Sequence, residues 1–394
     1  MIIFKSTKAL KKHFSSGVNI LAIETSCDET AVALVKAEKN KFKIIEDLVS
    51  SQIKVHAPFG GVVPNLAARE HLKNLPLILK KTIKKHKLTS KDIDLIAVTE
   101  GPGLIPALLI GTNCAKALAY AWKKPLVGVH HIAGHIYANF VRESSKLKAQ
   151  SSKLSEIKFP ILALIVSGGH TQLILMKKHM DFKIVGETLD DAAGEAFDKV
   201  ARILGLGYPG GPVVADIADK FRRSAKARLF PSSSAALGIP QNQSLPRPMI
   251  NSENFNFSFS GLKTAVLYTV KNNPQILKNK NLTAALCAEF QQAVIDVLVA
   301  KTLKAAEKYK PKTILLGGGV SANKELRTQL GNAIENNLSN TRYNLPDTKY
   351  SLDNAAMIAV AGYFQYKLAK NEKKFLNNWK NLEADAGLSL SSRA

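Results

Sequence analysis

Three of the chain's nine histidines fall within the six residues HHIAGH, as His130, His131 and His135. The segment runs into Ile136-Tyr137-Ala138, which predicts a helix, and on a helix His131 and His135 stand one turn apart on the same face. A single helical histidine usually serves packing, whereas two imidazoles at this spacing can hold one transition metal ion. Zinc peptidases use the same spacing as HExxH, where the glutamate activates the bound water. Here Ile132 follows His131, so that general base is missing and a zinc peptidase is not expected. Two histidines leave a metal short of ligands, and a carboxylate from elsewhere must complete the set. Asp353, in SLDNAAMIA, suits that part: a helix is expected to begin there, and Asn354 and the small residues behind it permit close packing.

A second chemistry is suggested by glycine-rich turns that follow apolar strands, at Gly101-Pro102-Gly103, Ser167-Gly168-Gly169, Gly210-Gly211 and Gly317-Gly318-Gly319. Glycine lets backbone N–H groups approach an anion closely, and the N-terminus of a following helix adds partial positive charge. One such turn is usually only a turn; four in one α/β chain point to a nucleotide site. No GxxxxGK[ST] motif occurs and no GxGxxG opens the first βα unit, which excludes a P-loop and argues against a dinucleotide site. Cys27, Cys114 and Cys287 are far apart with no CxxC pair, so neither a thiolate metal site nor a disulfide framework is expected, and a reducing compartment fits. No Ser-His-Asp or Cys-His arrangement is discernible, and no covalent nucleophile is assigned.

The elements that must carry these residues repeat a plan. NILAIETSCDETAVALV reads as a strand, a tight polar turn and a second strand, and PILALIVSGGHTQLILM has the same layout. Each half then contains a strand, a glycine-rich turn and a helix, in LIAVTEGPGLIPALLIGTNCAKALAYA and in TILLGGGVSANKELRTQLGNA. The remainder alternates strands with amphipathic helices, for example Ala284 to Lys308, where apolar residues recur at intervals of three and four. The pattern implies an α/β chain built from two related lobes around a nucleotide cleft.

At 394 residues and 46% apolar composition, the chain is long enough to bury a sizeable core, which excludes a disordered protein and a disulfide-stapled miniprotein. No uninterrupted apolar run reaches about 18 residues, so a soluble protein with no membrane partner is expected. Lys and Arg number 55 against 31 acids, a net charge of +24 that favours a polyanionic partner or reflects a lysine-biased proteome. Residues 1–18 form a basic extension with four lysines and no acid, and 143–158 (ESSKLKAQSSKLSEIK) a Ser/Lys-rich linker. The expected organisation is therefore the extension at 1–18, a first lobe at 19–142, the linker, a second lobe at 159–370, and a C-terminal tail at 371–394.

The runs IETSCDET (23–30), FGGVVPNLAAREH (59–71), TEGPGL (99–104), HHIAGHIYA (130–138), LIVSGGHTQL (164–173), DDAAGEAFDKVARILGLGYPGGP (190–212), FNFSFSGLKT (255–264), GGGVSAN (317–323) and DNAAMIA (353–359) resemble one universal family. It is that of the tRNA N6-adenosine threonylcarbamoyltransferases. The motifs are long, colinear and span about residues 19–370. The spellings DDAAGEAFDK and FSFSGLKT fit the bacterial TsaD branch best, with the mitochondrial branch as rival.

The resemblance implies an actin-like (ASKHA) fold. It implies transfer of a threonylcarbamoyl group from threonylcarbamoyl-AMP to N6 of adenosine 37 in tRNAs reading codons that begin with A, with release of AMP. It matches His131, His135 and Asp353 to the ligands of one divalent metal, iron or else zinc. It matches Ile165, Val166, Ser167, Gly168, Gly169, Asp198, Gly211 and Asn323 to the positions that hold threonylcarbamoyl-AMP. Glu24 and Asp28 are candidates for orienting the incoming amine, or else cap the first turn. The partners implied are the tRNA anticodon arm, TsaB-like and TsaE-like subunits, or a second copy in a homodimer, in the cytoplasm or alternatively the mitochondrial matrix. The chain departs from the pattern in its N-terminal extension, in segment 143–158 and at Ala215, where many relatives carry an Asp that contacts nucleotide; here Asp216 follows one position later. Two other readings compete. A small-molecule kinase of the same superfamily would not need the HxxxH pair, and a non-catalytic actin-like partner subunit would lack the metal-site histidines.

Overall fold

The computed structural model describes residues 17–141, 157–224, 244–369 and 373–390. All but the last two residues of the basic extension and of segment 143–158 lie outside them. The chain forms two compact units, one from the described parts of 1–52, 62–156 and 346–394, the other from 53–61 and 157–345.

Unit 1 opens with β1 (Val18–Glu24) and β2 (Glu29–Glu38), joined by a four-residue turn, then β3 (Lys41–Ser51). After α1 (Pro64–Lys85) come β4 (Leu95–Gly101), α2 (Ile105–Trp122), β5 (Leu126–His130) and α3 (His131–Tyr137). The strand order is β3-β2-β1-β4-β5, with β1 antiparallel to β2 and parallel to β4. Ile20 to Ile23 of β1 are wholly buried, as expected of a central strand covered on both faces. One face packs Leu21, Ile23, Ile96 and Val98 against Leu75 and Leu79 of α1 and Ala115 and Ala119 of α2.

Unit 2 contains β6 (Ile161–Val166), β7 (Thr171–Met176), β8 (Phe182–Glu187), α4 (Ala193–Ile203) and α5 (Gly210–Arg223). It continues with α6 (Ser260–Asn272), α7 (Lys280–Tyr309), β9 (Thr313–Gly317), α8 (Lys324–Asn337) and β10 (Arg342–Asn344). Its sheet runs β10-β9-β6-β7-β8, with β6 antiparallel to β7 and parallel to β9. Read from β8, the order and the parallel and antiparallel relations repeat those of unit 1, so the duplication expected from the two hairpin motifs is present in the fold.

The last long helix, α9 (Ala355–Leu368), departs from the expected boundaries. Sequence position groups it with the second lobe, yet it belongs to unit 1. Its face is apolar enough to cover the second side of the first sheet, where Phe42 meets Tyr363 edge-on at 5.3 Å and Tyr137 stacks on Phe364 at 5.0 Å. Residues 373–390 are packed rather than a loose tail: Trp379 contacts Tyr120 at 4.7 Å, and Lys116 Nζ donates to Leu382 O.

α7 is buried all round over Ala285 to Gln291, with Phe290 against Phe197 of α4 at 5.0 Å, and from Gln292 onward it keeps the expected one-sided pattern, with Gln292, Asp296, Lys304 and Glu307 on the less buried face. Among the described residues it is the one helix long and apolar enough to cross a membrane, and that apolarity is spent on the core.

Candidate functional site

His130 ends β5 and α3 begins with the next residue. His130 itself is a cap: its Nδ1 accepts from Ile132 N at 3.1 Å, so its Nε2 carries the proton and donates to Leu388 O at 2.9 Å. His131 and His135 follow one turn apart, ring centroids 4.6 Å from each other, and both are buried. Asp353 lies just before α9, whose N-cap Asn354 accepts from Met357 N at 2.9 Å. That cap fixes where the helix starts and so where Asp353 stands. Its Oδ1 is 3.5 Å from His131 Nε2 and 3.2 Å from His135 Nε2.

These separations match a metal's needs. Ligand atoms about 2.1 Å from a tetrahedral ion lie about 3.4 Å from one another. All three donor atoms fall within 4.8 Å. Despite the short approach to Asp353, neither nitrogen of the wholly buried His135 makes a hydrogen bond. An imidazole so placed loses its hydration without compensation, which a cation on Nε2 would restore. Two imidazoles and one carboxylate are also the donor set that iron and zinc accept.

Glu24 completes the arrangement from behind. It sits wholly buried at the end of β1, where Oε2 accepts from Thr99 Oγ1 at 2.5 Å and Oε1 from Ser26 N at 2.5 Å. The same Oε2 lies 3.2 Å from His131 Nδ1, as does Ser26 Oγ. With Nδ1 held this way, Nε2 is the nitrogen turned to Asp353, the carboxylate–histidine–metal relation that fixes ring orientation and tautomer. Burial opposes a charge on His131, but Asp353 and then Glu24 outweigh it, and the imidazole pKa rises to about 9. For His135 burial prevails and the pKa is lowered. Through Ser26 N, Glu24 also holds the first turn, one of the two roles considered for it from the sequence. Asp28 is also buried; its backbone carbonyl accepts from Gln52 N.

In unit 2, Ile165 to Gly169 lie at the carboxyl end of β6 beside its parallel neighbour β9, while Asp198 is on α4, Gly211 on α5 and Asn323 at the start of α8. Ile165 pairs with Gly317, and the side chains of Ile165 and Val166 are buried in the sheet, so those two contribute the strand and not contact groups. Ser167 and His170 close the turn: Ser167 N donates to His170 O, and His170 N to Ser167 Oγ. Methyl groups built on Gly168 or Gly169 would meet nothing within 4 Å. Packing does not require glycine there. Gly318 is different: φ is +85°, and a Cβ would lie 2.4 Å from Val166 O.

Asp198 and Asn323 carry structural duties. Asp198 Oδ1 accepts from Gly210 N at 2.7 Å, which caps α5 and sets the position of Gly211. Asn323 Oδ1 caps α8 through Leu326 N, while its Nδ2 donates to Gln291 Oε1 at 2.8 Å. Ala215 stands one turn along α5 from Gly211, but Asp216 turns to the exposed side and pairs with Lys220 at 2.6 Å. It does not replace the missing carboxylate.

Asp190, at the head of the DDAAGEAFDK run, was not singled out from sequence. Its carboxylate accepts from Ser258 Oγ, Ser260 Oγ, Phe259 N and Ser260 N, which caps α6 and ties that run to FSFSGLKT. The four hydrogen bonds outweigh burial and hold its pKa below the ordinary range.

The sequence profile described as TsaD, tRNA N6-adenosine threonylcarbamoyltransferase, matches residues 43–360. Enzymes of that name from Bacillus subtilis (strain 168) and Bacillus anthracis are 47% and 46% identical, over 94% and 93% of this chain and 97% of each relative. The one from Bacillus licheniformis is 47% identical over 92% of this chain and 96% of its own length. These likenesses leave the kinase and partner-subunit readings without support. The chain belongs to the TsaD family of tRNA N6-adenosine threonylcarbamoyltransferases.

Proposed function

We propose that this chain forms threonylcarbamoyladenosine at adenosine 37 with His131, His135 and Asp353 as the ligands of one metal ion, iron in the first instance and zinc otherwise. The observation that carries the metal assignment is the fully buried His135, without a hydrogen bond and 3.2 Å from Asp353. When bound, the ion supplies Lewis-acid polarisation of an acyl or phosphate oxygen. Glu24 and Ser26 keep His131 oriented for that duty. The donor substrate is threonylcarbamoyl-AMP, a mixed anhydride already activated for attack by the adenosine amine, with AMP leaving; positioning and charge stabilisation are the protein's main tasks.

In unit 2, the open backbone at Gly168 and Gly169 and the turn at Gly317–Gly319 offer N–H donors to the adenylate phosphate. Asp198 and Asn323 hydrogen-bond the ribose or base while keeping their capping roles, and Gly211 lets the start of α5 come close. Asp28 keeps a proposed part in orienting the amine. The tRNA contact is through the anticodon arm, favoured by the excess of lysine and arginine. The bacterial resemblance supports a cytoplasmic setting and TsaB-like and TsaE-like partner subunits, with a homodimer as the other arrangement.

The test compares metal content and tRNA nucleosides for wild type, His131→Ala and His135→Ala. The protein is incubated with tRNA, threonine, bicarbonate, ATP, a threonylcarbamoyl-adenylate synthase and the partner subunits. Both variants should lose the metal and the modified nucleoside together. Metal retained in both would sink the ligand assignment.

A further inference from the structure

We propose that His71 is a positioning residue for the metal centre, acting through the β1–β2 turn; the inference rests on the metal reading above. His71 lies on α1 and is wholly buried. Its Nε2 is 3.0 Å from Cys27 O and its Nδ1 is 2.8 Å from Thr30 Oγ1. A carbonyl can only accept, so Nε2 carries the proton and donates to Cys27 O, and Nδ1 accepts from the Thr30 hydroxyl. One ring therefore clamps both ends of the segment 27–30.

That turn is captured at three successive carbonyls by three separate parts of unit 1. Ser26 O accepts from Leu104 N at the start of α2, Cys27 O from His71, and Asp28 O from Gln52 N. Two of these donors are backbone and cannot be removed by exchanging a side chain. His71 is the side-chain member of the set. From the same turn Ser26 Oγ reaches His131 Nδ1 at 3.2 Å, and Ser26 N holds Glu24, whose other oxygen reaches the same nitrogen. A shift of the turn thus reaches His131 by both groups that orient its ring. Removing outer partners of a metal ligand typically costs 10–100-fold in metal affinity. His71 stands one step further out, so the lower end applies.

The experiment titrates metal-free protein with Co2+ alone and follows the visible ligand-field bands, well below the melting temperature. His71→Leu should weaken Co2+ binding about tenfold and alter the bands. His71→Gln, which can still donate to Cys27 O, should restore most of both. Thr30→Val, which removes only the hydroxyl, should weaken binding less, in the same direction. A clamp that serves stability alone would lower the melting temperature of His71→Leu and leave affinity and bands unchanged, which overturns the proposal. Where His71→Leu does not fold, wild-type affinity in Thr30→Val overturns it. His135→Ala is the control: if it binds Co2+ as wild type does, the metal reading itself fails, independently of His71.

Discussion

Gly168 and Gly103 both sit in turns at strand ends, and they should answer the same substitution differently. A Cβ on Gly168 meets nothing within 4 Å, whereas one on Gly103 lies 2.5 Å from Ser26 O and 2.9 Å from Ser26 Cβ. Gly168→Ala should keep the wild-type melting temperature and raise the KM for the adenylate donor. Gly103→Ala should cost about 1–3 kcal/mol of stability by overpacking, measured by denaturant unfolding. Equal melting temperatures for the two variants would contradict this reading. At this scale the sequence was informative where function follows spacing along one helix, as for His131 and His135. It was uninformative where function depends on where a side chain turns. Glu24 reads equally as a cap or as a substrate contact until the buried Thr99 and His131 are seen around it. His71 gives no sign of Cys27, from which 44 residues separate it.

Among the elements, the start of α9 combines the proposed ligand Asp353, the capping Asn354 and a carboxylate from β3. Asp47 of β3 faces the first amides of this helix; burial raises its pKa from 3.8 to about 7, against the opposing pull of the Ala355 and Ala356 N–H groups. A carboxyl whose pKa is raised on folding contributes stability below its unfolded pKa and loses it as pH climbs to the folded value. The melting temperature of Asp47→Asn relative to wild type should therefore rise from pH 5 to about 7 and then level off, by calorimetry at matched ionic strength. A difference that is flat from pH 5 to 8 would show that Asp47 is ionised throughout. The paired hairpins were legible because period-two apolar runs on either side of a polar turn leave few alternatives. The membership of α9 was not legible, since a uniformly apolar helix carries no mark of which sheet it covers. α7 was legible from Gln292 onward, where polar residues recur on one face of the helix.

For the whole molecule, the charge of +24 predicts tRNA binding dominated by phosphate contacts. Affinity for a tRNA anticodon arm, followed by fluorescence anisotropy, should fall at least about tenfold between roughly 50 and 200 mM salt. Salt-independent binding would assign the excess lysines to solubility alone. Unit 1 is assembled from the described parts of 1–52, 62–156 and 346–394, with residues 157–345 of unit 2 inserted before the last segment. This interruption orders events during synthesis. A ribosome making the chain exposes His131 and His135 long before it reaches Asp353, and translates nearly all of unit 2 in the interval. Until the last segment emerges, the first sheet lacks α9 on one face and the two histidines lack their carboxylate. On the proposed ligand set the site is completed only near the end of translation, and a product truncated between residues 135 and 353 carries the HxxxH pair without its carboxylate.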